Sequence, residues 1–346
     1  MNRNRATAAA IAVLALAAIT LTAWTSLAAA TPARQNGTLV GAGSTFVVPL
    51  VTKWTQTYKP SKIVYSGIGS GGGITAISNR QVDFGASDAP LSKDQFSGCH
   101  GCVQIPWAFS ATSIPYNVTG VSSGLHLTGN VLAGIFGGSI KYWDNAKIKA
   151  VNKGVKLPHE KVVPIYRSDA SGTSYNFTDY LSHVSKAWKG SVGKGTQPSF
   201  PVGVGAKGSS GVAAKLKTTA GGITYVDVAY SVKNGFKIAK VQNRAGNYEL
   251  PGNRQIRAAA NSLKKLQSKD NSITVVNPNA KAKFAYPICT FTYVILPLKT
   301  SKAPELKKFV DWAVTKGQSY GPSLRFVELP KLVQKAARKT LSRVHS

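Results

Sequence analysis

The sequence predicts an α/β protein. Short β-rich runs alternate with amphipathic runs, several of the β-rich runs end in Gly, Ser and Thr, and 43% of the residues are hydrophobic, enough for a buried core. The 346 residues favour two domains over one. Forty-three Lys+Arg against 13 Asp+Glu give a formal charge of +30, which asks for an anionic partner, an anionic surface or an unusual medium.

The N-terminus comes first. Arg3 and Arg5 precede an apolar stretch from Ile11 to Leu21, and Ala28-Ala29-Ala30 follows. Residues 1–30 read as a signal peptide cleaved before Thr31, the alternative being a retained membrane anchor. No Cys lies near the cleavage point, so no lipid anchor is expected there, and the mature chain reads as exported.

Leu39-Val40 followed by Gly41-Ala-Gly-Ser-Thr45 reads as a strand end, a Gly turn and a helix cap. Phe46, Leu50, Trp54 and Tyr58 recur four apart, on one helical face, with Pro49 in the tolerant first turn. Lys62–Ser66 is a second strand ending in Gly67–Gly73, and a short apolar run follows at Ile74 and Ile77. Val82–Asp88 is a third short strand with a turn. Val162–Tyr166 is another strand, followed by Arg167-Ser-Asp-Ala-Ser-Gly-Thr173. Phe177, Leu181, Val184 and Trp188, spaced 4, 3 and 4, predict one further helix face. Phe284–Leu296 reads as one long β-rich segment and Pro304–Thr315 as a helix.

Export permits disulfides. Cys99-His-Gly-Cys102 either closes on itself, leaving Cys289 free and buried, or gives one member to Cys289. Zinc needs about four ligands and only His100 is near, so no metal site is expected. The flanks look like a loop rather than the strand-to-helix start of a redox motif.

One local design recurs at Gly41–Thr45, Gly67–Gly73 and Ser168–Thr173: a strand ends, small hydroxyl and Gly residues follow, and a helix begins. Helix N-termini offer unpaired N–H groups and a positive dipole end, Gly admits close approach, and Ser and Thr add O–H donors. A single such cluster is usually just a cap. Three of them point to an anion held at the carboxyl ends of strands. Arg167 adds a guanidinium fork suited to a tetrahedral oxyanion. Asp88 looks misplaced beside an anion unless the ligand carries a proton. An ionised carboxylate only accepts, so it favours a protonated phosphate oxygen and opposes fully ionised sulfate. Asp169 either orients Arg167 or caps the helix, and Asp83 also falls within these segments.

Gly67-Ile-Gly-Ser-Gly-Gly72 formally fits a dinucleotide fingerprint, but an exported chain is a poor place for nicotinamide cofactors and the other two clusters would go unexplained. No His sits in a Ser/Thr cluster as a general base, so no catalytic set and no cofactor is expected.

At these residues the chain resembles the periplasmic phosphate-binding protein family of the high-affinity phosphate ABC importer. The matching segments are Gly41–Phe46, Tyr65–Gly73, Val82–Pro90 and Arg167–Ser174, with Leu127–Phe136, Trp143-Asp144, Gly222–Tyr225 and Tyr286–Ile288 in support. The likeness runs in order from about residue 38 to about residue 330. It implies a type 2 periplasmic-binding-protein fold, two lobes with mixed sheets flanked by helices and a hinge. Lobe 1 would hold residues 37–115 and 288–346, the latter with the C-terminal tail, and lobe 2 residues 116–287. It further implies that phosphate is held by Thr45, the Phe46 backbone N–H, Ser70, Asp88, Arg167, Ser171, Gly172 and Thr173, with Asp169 behind Arg167. The partners implied are inorganic phosphate and the permease subunits of an ABC transporter, for a monomer in the periplasm or at the cell exterior. The alternatives are another oxyanion (sulfate, molybdate or tungstate) or a secreted enzyme acting on phosphate esters.

The Cys99–Cys102 segment and the high charge depart from the family pattern. The basic residues are spread out, without a nucleic-acid motif, so no nucleic-acid partner is expected. Focusing of phosphate toward the cleft is limited by screening beyond about 8 Å. An acidic medium, where few carboxylates titrate, is the reading preferred for the 13 acids; there Asp88 must stay ionised, with Arg167 lowering its pKa.

Overall fold

The computed structural model describes residues 37–346; the proposed signal peptide lies outside the described residues. Two mixed sheets carry the fold. The first has six strands in the order Val226–Asp227, Cys102–Ser113, Cys289–Pro297, Phe84–Ser87, Thr38–Gly43 and Lys62–Gly67. The last three are parallel, with Gly41 opposite both Tyr65 and Phe84. The second has five strands, Lys237–Ile238, Pro115–Asn117, Gly222–Thr224, Val163–Arg167 and Val204–Ala206, and again the last three are parallel. A small third sheet joins Tyr248–Glu249, Lys240–Gln242 and His126–Leu127.

Parallel strands need crossovers, and here helices supply them. Val48–Thr57 links the first two parallel strands, and Ser70–Ser78 links the second to Phe84–Ser87. Gly172–Val184 follows the Val163–Arg167 strand, and Gly208–Thr218 follows Val204–Ala206. All these strand ends therefore open toward helix starts, the usual place for a ligand in an α/β sheet.

The predicted helix face of Phe46, Leu50, Trp54 and Tyr58 is buried as a unit. Trp54 stacks edge-on against Trp107 at 5.2 Å, and its indole N–H reaches the Gly317 carbonyl at 2.7 Å, so the ring is buried without an orphaned donor. A second aromatic cluster joins Phe136, Phe177, Phe200 and Tyr225.

Three local expectations are corrected. The Phe177–Trp188 run is two helices, Gly172–Val184 and Lys186–Ser191. Ser185 is extended between them and caps the second by accepting from the Trp188 N–H. Apolar spacing alone passes over such a break, because the side-chain period resumes after it. The Phe284–Leu296 segment forms a strand only from Cys289, since Pro287 has no N–H for a ladder. The Gly41–Thr45 cluster does not cap a helix. The helix begins at Val48 behind Val47, with no side-chain cap, which leaves Ser44, Thr45 and Phe46 in the turn before it.

Of the two cysteine pairings, the local one forms. Cys99 and Cys102 are bonded and Cys289 is free and buried. The pair closes the turn between the helix Lys93–Gly98 and the long strand Cys102–Ser113, where the Arg80 guanidinium donates to the Cys99 and His100 carbonyls.

Trp54→Ala should destabilise the protein by about 3–5 kcal/mol through the cavity it leaves, read from the midpoint of urea unfolding at unchanged slope. A loss under roughly 1 kcal/mol would show that this aromatic cluster is not the keystone of the first sheet's packing.

Candidate functional site

The three sequence clusters meet. At the first, Ser44 Oγ donates to Asp88 Oδ1 at 2.5 Å and accepts from the Phe46 N–H at 3.1 Å. At the second, Gly69 precedes the helix Ser70–Ser78 with φ +87°. A Cβ there would also lie 2.4 Å from Asp169 Oδ2, so only glycine serves. Ser70 Oγ accepts from the Gly172 N–H at 3.1 Å and from the Asp88 N–H at 3.3 Å, and lies 3.5 Å from Asp88 Oδ2. At the third, Ser171 caps the helix Gly172–Val184 by accepting from the Ser174 N–H. Gly172 lets that helix start press on Asp88, since a Cβ would sit 2.7 Å from the Asp88 backbone nitrogen.

Arg167 ends its strand 3% exposed. Its Nε and Nη2 donate to Asp169 Oδ1 and Oδ2 at 2.7 and 2.5 Å, the expected pairing, which fixes the plane of the guanidinium fork. Three of its five N–H donors remain for other acceptors. Burial works to raise the Asp169 carboxyl, but the hydrogen bonds and charge of Arg167 and the Gly208 N–H outweigh it, and it stays below its ordinary value. Asp83, by contrast, is no part of the site. It accepts from the Val40 N–H and pairs with Lys302 at 3.0 Å at the far end of the strand.

Of the sequence-predicted residues, Ser70, Asp88 and Gly172 are hydrogen-bonded together, Phe46 joins Asp88 through Ser44, Thr45 and Arg167 are linked through Ser209, Gly208 and Asp169, and Ser171 and Thr173 flank Gly172 at the helix start. Thr173 Oγ1 is buried with no hydrogen-bond partner, a donor and acceptor left for something else.

Asp88 is 1% exposed. Burial pushes its carboxyl up to about 7, and Ser44, Arg167 and Ser70 each pull it back only in part. The expectation that Arg167 lowers the Asp88 carboxyl holds in direction, but burial outweighs it and the carboxyl does not stay at its ordinary value.

Four contributors escape the sequence reading. Ser44 is the main hydrogen-bond partner of Asp88. Ser209 meets Thr45, its Oγ 2.8 Å from Thr45 Oγ1. The Tyr225 hydroxyl accepts from the Arg167 N–H at 3.1 Å and pairs with Ser174 Oγ at 2.7 Å, tying the strand end to the helix start. Buried Asp227 caps the Val228–Lys233 helix and is raised well above its ordinary value, first by burial and then by the nearby charge of Asp88. Ser44 lies inside the recognised Gly41–Thr45 cluster, and outside the clusters only Ser209 carried a readable signal: Gly205-Ala-Lys-Gly-Ser-Ser-Gly211 repeats the strand–Gly/Ser–helix design.

The family model for the PBP superfamily domain matches residues 28–316. Phosphate-binding protein PstS of Xylella fastidiosa (strain Temecula1) is 38% identical over 297 residues, covering 84% of this chain and 81% of its own. The chain belongs to this family of phosphate-binding proteins. PstS of Pasteurella multocida is 35% identical over 321 residues, 90% of this chain and 92% of that protein. PstS of Methanocaldococcus jannaschii is 32% identical over 311 residues, 80% of this chain and 78% of that protein. Among solved structures, a high-affinity periplasmic phosphate-binding protein crystallised with phosphate superposes with a TM-score of 0.70 at 22% identity, covering 87% of this chain and 93% of that one. The fold is thus the phosphate-binding-protein fold that the resemblance implied.

Asp88 stays protonated in the folded, ligand-free site up to about pH 7, whereas the unfolded chain ionises near 3.8. That group's contribution to stability is present at low pH and is lost as pH rises through this window. Asp88→Asn should therefore raise the Tm of the phosphate-free protein by roughly 5 °C at pH 8 and change it little at pH 4. Equal shifts at both pH values would show that burial of the charge is not the cause.

Proposed function

We propose that the chain is an exported solute-binding protein that captures inorganic phosphate and delivers it to the permease subunits of an ABC transporter. The carrying observation is the arrangement of groups in the site: N–H and O–H donors converge around the Asp88 carboxylate, while the Asp169 carboxylate is taken up by Arg167. The family is one of binding proteins rather than enzymes, which agrees with the absence of any expected nucleophile–base pair.

In this reading Arg167 gives the ligand the N–H groups that Asp169 leaves over. Thr45, Ser70, Ser171 and Thr173 supply hydroxyl donors. The backbone N–H of Phe46, now on Ser44 Oγ, exchanges that partner for a phosphate oxygen, while the Gly172 N–H stays on Ser70 Oγ and holds that hydroxyl for the ligand. Asp88 accepts the hydrogen of the protonated oxygen, which sulfate lacks at neutral pH. We place the lobes at residues 37–115 with 288–346 and at 116–287. The change of sheet at Ile114 and the return at Cys289 support this, while the Val226–Asp227 strand ties the second lobe to the first sheet. The protein would act as a monomer in the periplasm or at the cell exterior. In an acidic medium Asp88 would be mostly protonated, and phosphate would have to displace that proton to be read by it.

Calorimetry with phosphate, sulfate and molybdate tests the reading. Phosphate should bind far more tightly than the other two at pH 8, and Asp88→Asn should narrow the gap by favouring sulfate. Sulfate binding as tight as phosphate at pH 8 would sink it. Because the ionised carboxylate is the competent form, affinity expressed per doubly charged hydrogen phosphate, with the ligand's own ionisation divided out, should be roughly tenfold weaker at pH 6 than at pH 8. A flat profile on that scale in the wild type would remove Asp88 as the proton reader.

A further inference from the structure

Ser209 lies outside the ligand set assigned above, and its role rests on the phosphate reading. It is the second residue of the helix Gly208–Thr218 and is fully buried. Its backbone N–H donates to Thr45 Oγ1 at 3.1 Å, and its own Oγ lies 2.8 Å from the same atom. The neighbouring Gly208 N–H donates to Asp169 Oδ1 at 2.9 Å. One helix start therefore grips both Thr45 and the carboxylate that orients Arg167.

A hydroxyl has one hydrogen and two lone pairs. The Ser209 N–H fills one lone pair of Thr45. The Thr45–Ser209 hydroxyl pair then has two polarities. If Thr45 donates to Ser209, its remaining lone pair is what it offers an incoming anion, and the two repel. If Ser209 donates to Thr45, both Thr45 lone pairs are filled and its hydrogen is left for the ligand. Ser70 reaches the same condition through the backbone alone, since the N–H groups of Gly172 and Asp88 occupy both of its lone pairs. Two hydroxyls on opposite sides of the network are thereby turned from ambivalent groups into donors.

We propose that Ser209 is a positioning residue that fixes Thr45 as an obligatory hydrogen-bond donor to a phosphate oxygen. The hydrogen carried by phosphate then finds no acceptor at Thr45 or Ser70 and is directed to Asp88. Selectivity for a protonated tetrahedral anion rests on the polarity of these hydroxyls as well as on the carboxylate.

A double-mutant cycle reads this directly. Inorganic phosphate is titrated by calorimetry into the wild type, Ser209→Ala, Thr45→Val and the double variant, each with its Tm. Ser209→Ala should weaken phosphate binding by about 3- to 10-fold in the wild-type background, the usual worth of one hydrogen bond, and by less than about 2-fold when Thr45 is already valine. Ser209→Cys, close in volume but a weak donor, should lose affinity in the same way and serves if the alanine variant folds poorly. An unchanged affinity in Ser209→Ala, or an equal loss in both backgrounds, overturns the proposal. Failure of the wild type to bind phosphate at all would instead overturn the reading on which it rests.

Discussion

The site is organised around the cost of keeping a carboxylate buried where an anion must enter. Removing a charge from water is expensive, and a second negative charge alongside makes it more so. Asp88 shows that cost in a carboxyl pushed up to about 7 despite a short bond from Ser44 and the pull of Arg167. Such an arrangement is retained at functional sites because strain there can do chemical work elsewhere. In the proposed reading the work is discrimination: once ionised, the carboxylate only accepts hydrogens and turns away an anion with none to give. Phosphate's second ionisation also lies near neutrality. The carboxylate and the ligand are therefore matched, and one proton can be shared between them without a large penalty on either side.

The rest of the fold serves to bring donors to that carboxylate. Of the two sets of three parallel strands, Thr38–Gly43, Lys62–Gly67, Val163–Arg167 and Val204–Ala206 each pass into a helix or the turn before one. Their backbone N–H groups are fixed by the sheet and cannot rotate away, unlike the hydroxyls beside them. This is why Ser70 and Thr45 matter more than their count suggests. Ser70 is held by two backbone N–H groups on its lone pairs, so sheet and helix geometry decides which way its hydroxyl points, whereas Thr45 has one and depends on the Ser209 hydroxyl for the other.

How much of this the sequence discloses depends on how local the cause is. The three Gly/Ser/Thr junctions are legible because turn, cap and close approach all leave marks within seven residues. Asp88 is legible as an anomaly of charge. Its raised pKa is not, because that depends on burial by segments far along the chain. Tyr225 is invisible for the same reason: its partners, Arg167 and Ser174, lie 58 and 51 residues away. Ser44 sits inside a recognised cluster, yet sequence offers no means of telling which of two adjacent hydroxyls turns to the carboxylate. The break at Ser185 and the late start of the Cys289–Pro297 strand are backbone events that side-chain spacing does not register.

The formal charge of +30 belongs to a different level of the problem from affinity. Within the site itself Arg167 and Asp169 cancel, leaving the net charge at minus one when Asp88 is ionised and zero when it is not. The pocket residues therefore do not draw an anion by net charge. What holds the ligand must be dipolar: helix N-termini, oriented N–H groups and polarised hydroxyls, acting in a region from which water is largely excluded. The basic surface acts before that, over a screening length of about 8 Å, by raising the concentration of anions near the protein. It does so for sulfate as readily as for phosphate. Attraction is thus unselective and lies outside, whereas recognition lies inside and is made of hydrogen-bond polarity. In the proposed reading, in which a second tetrahedral anion of the same shape is to be rejected, there is reason to keep the two apart.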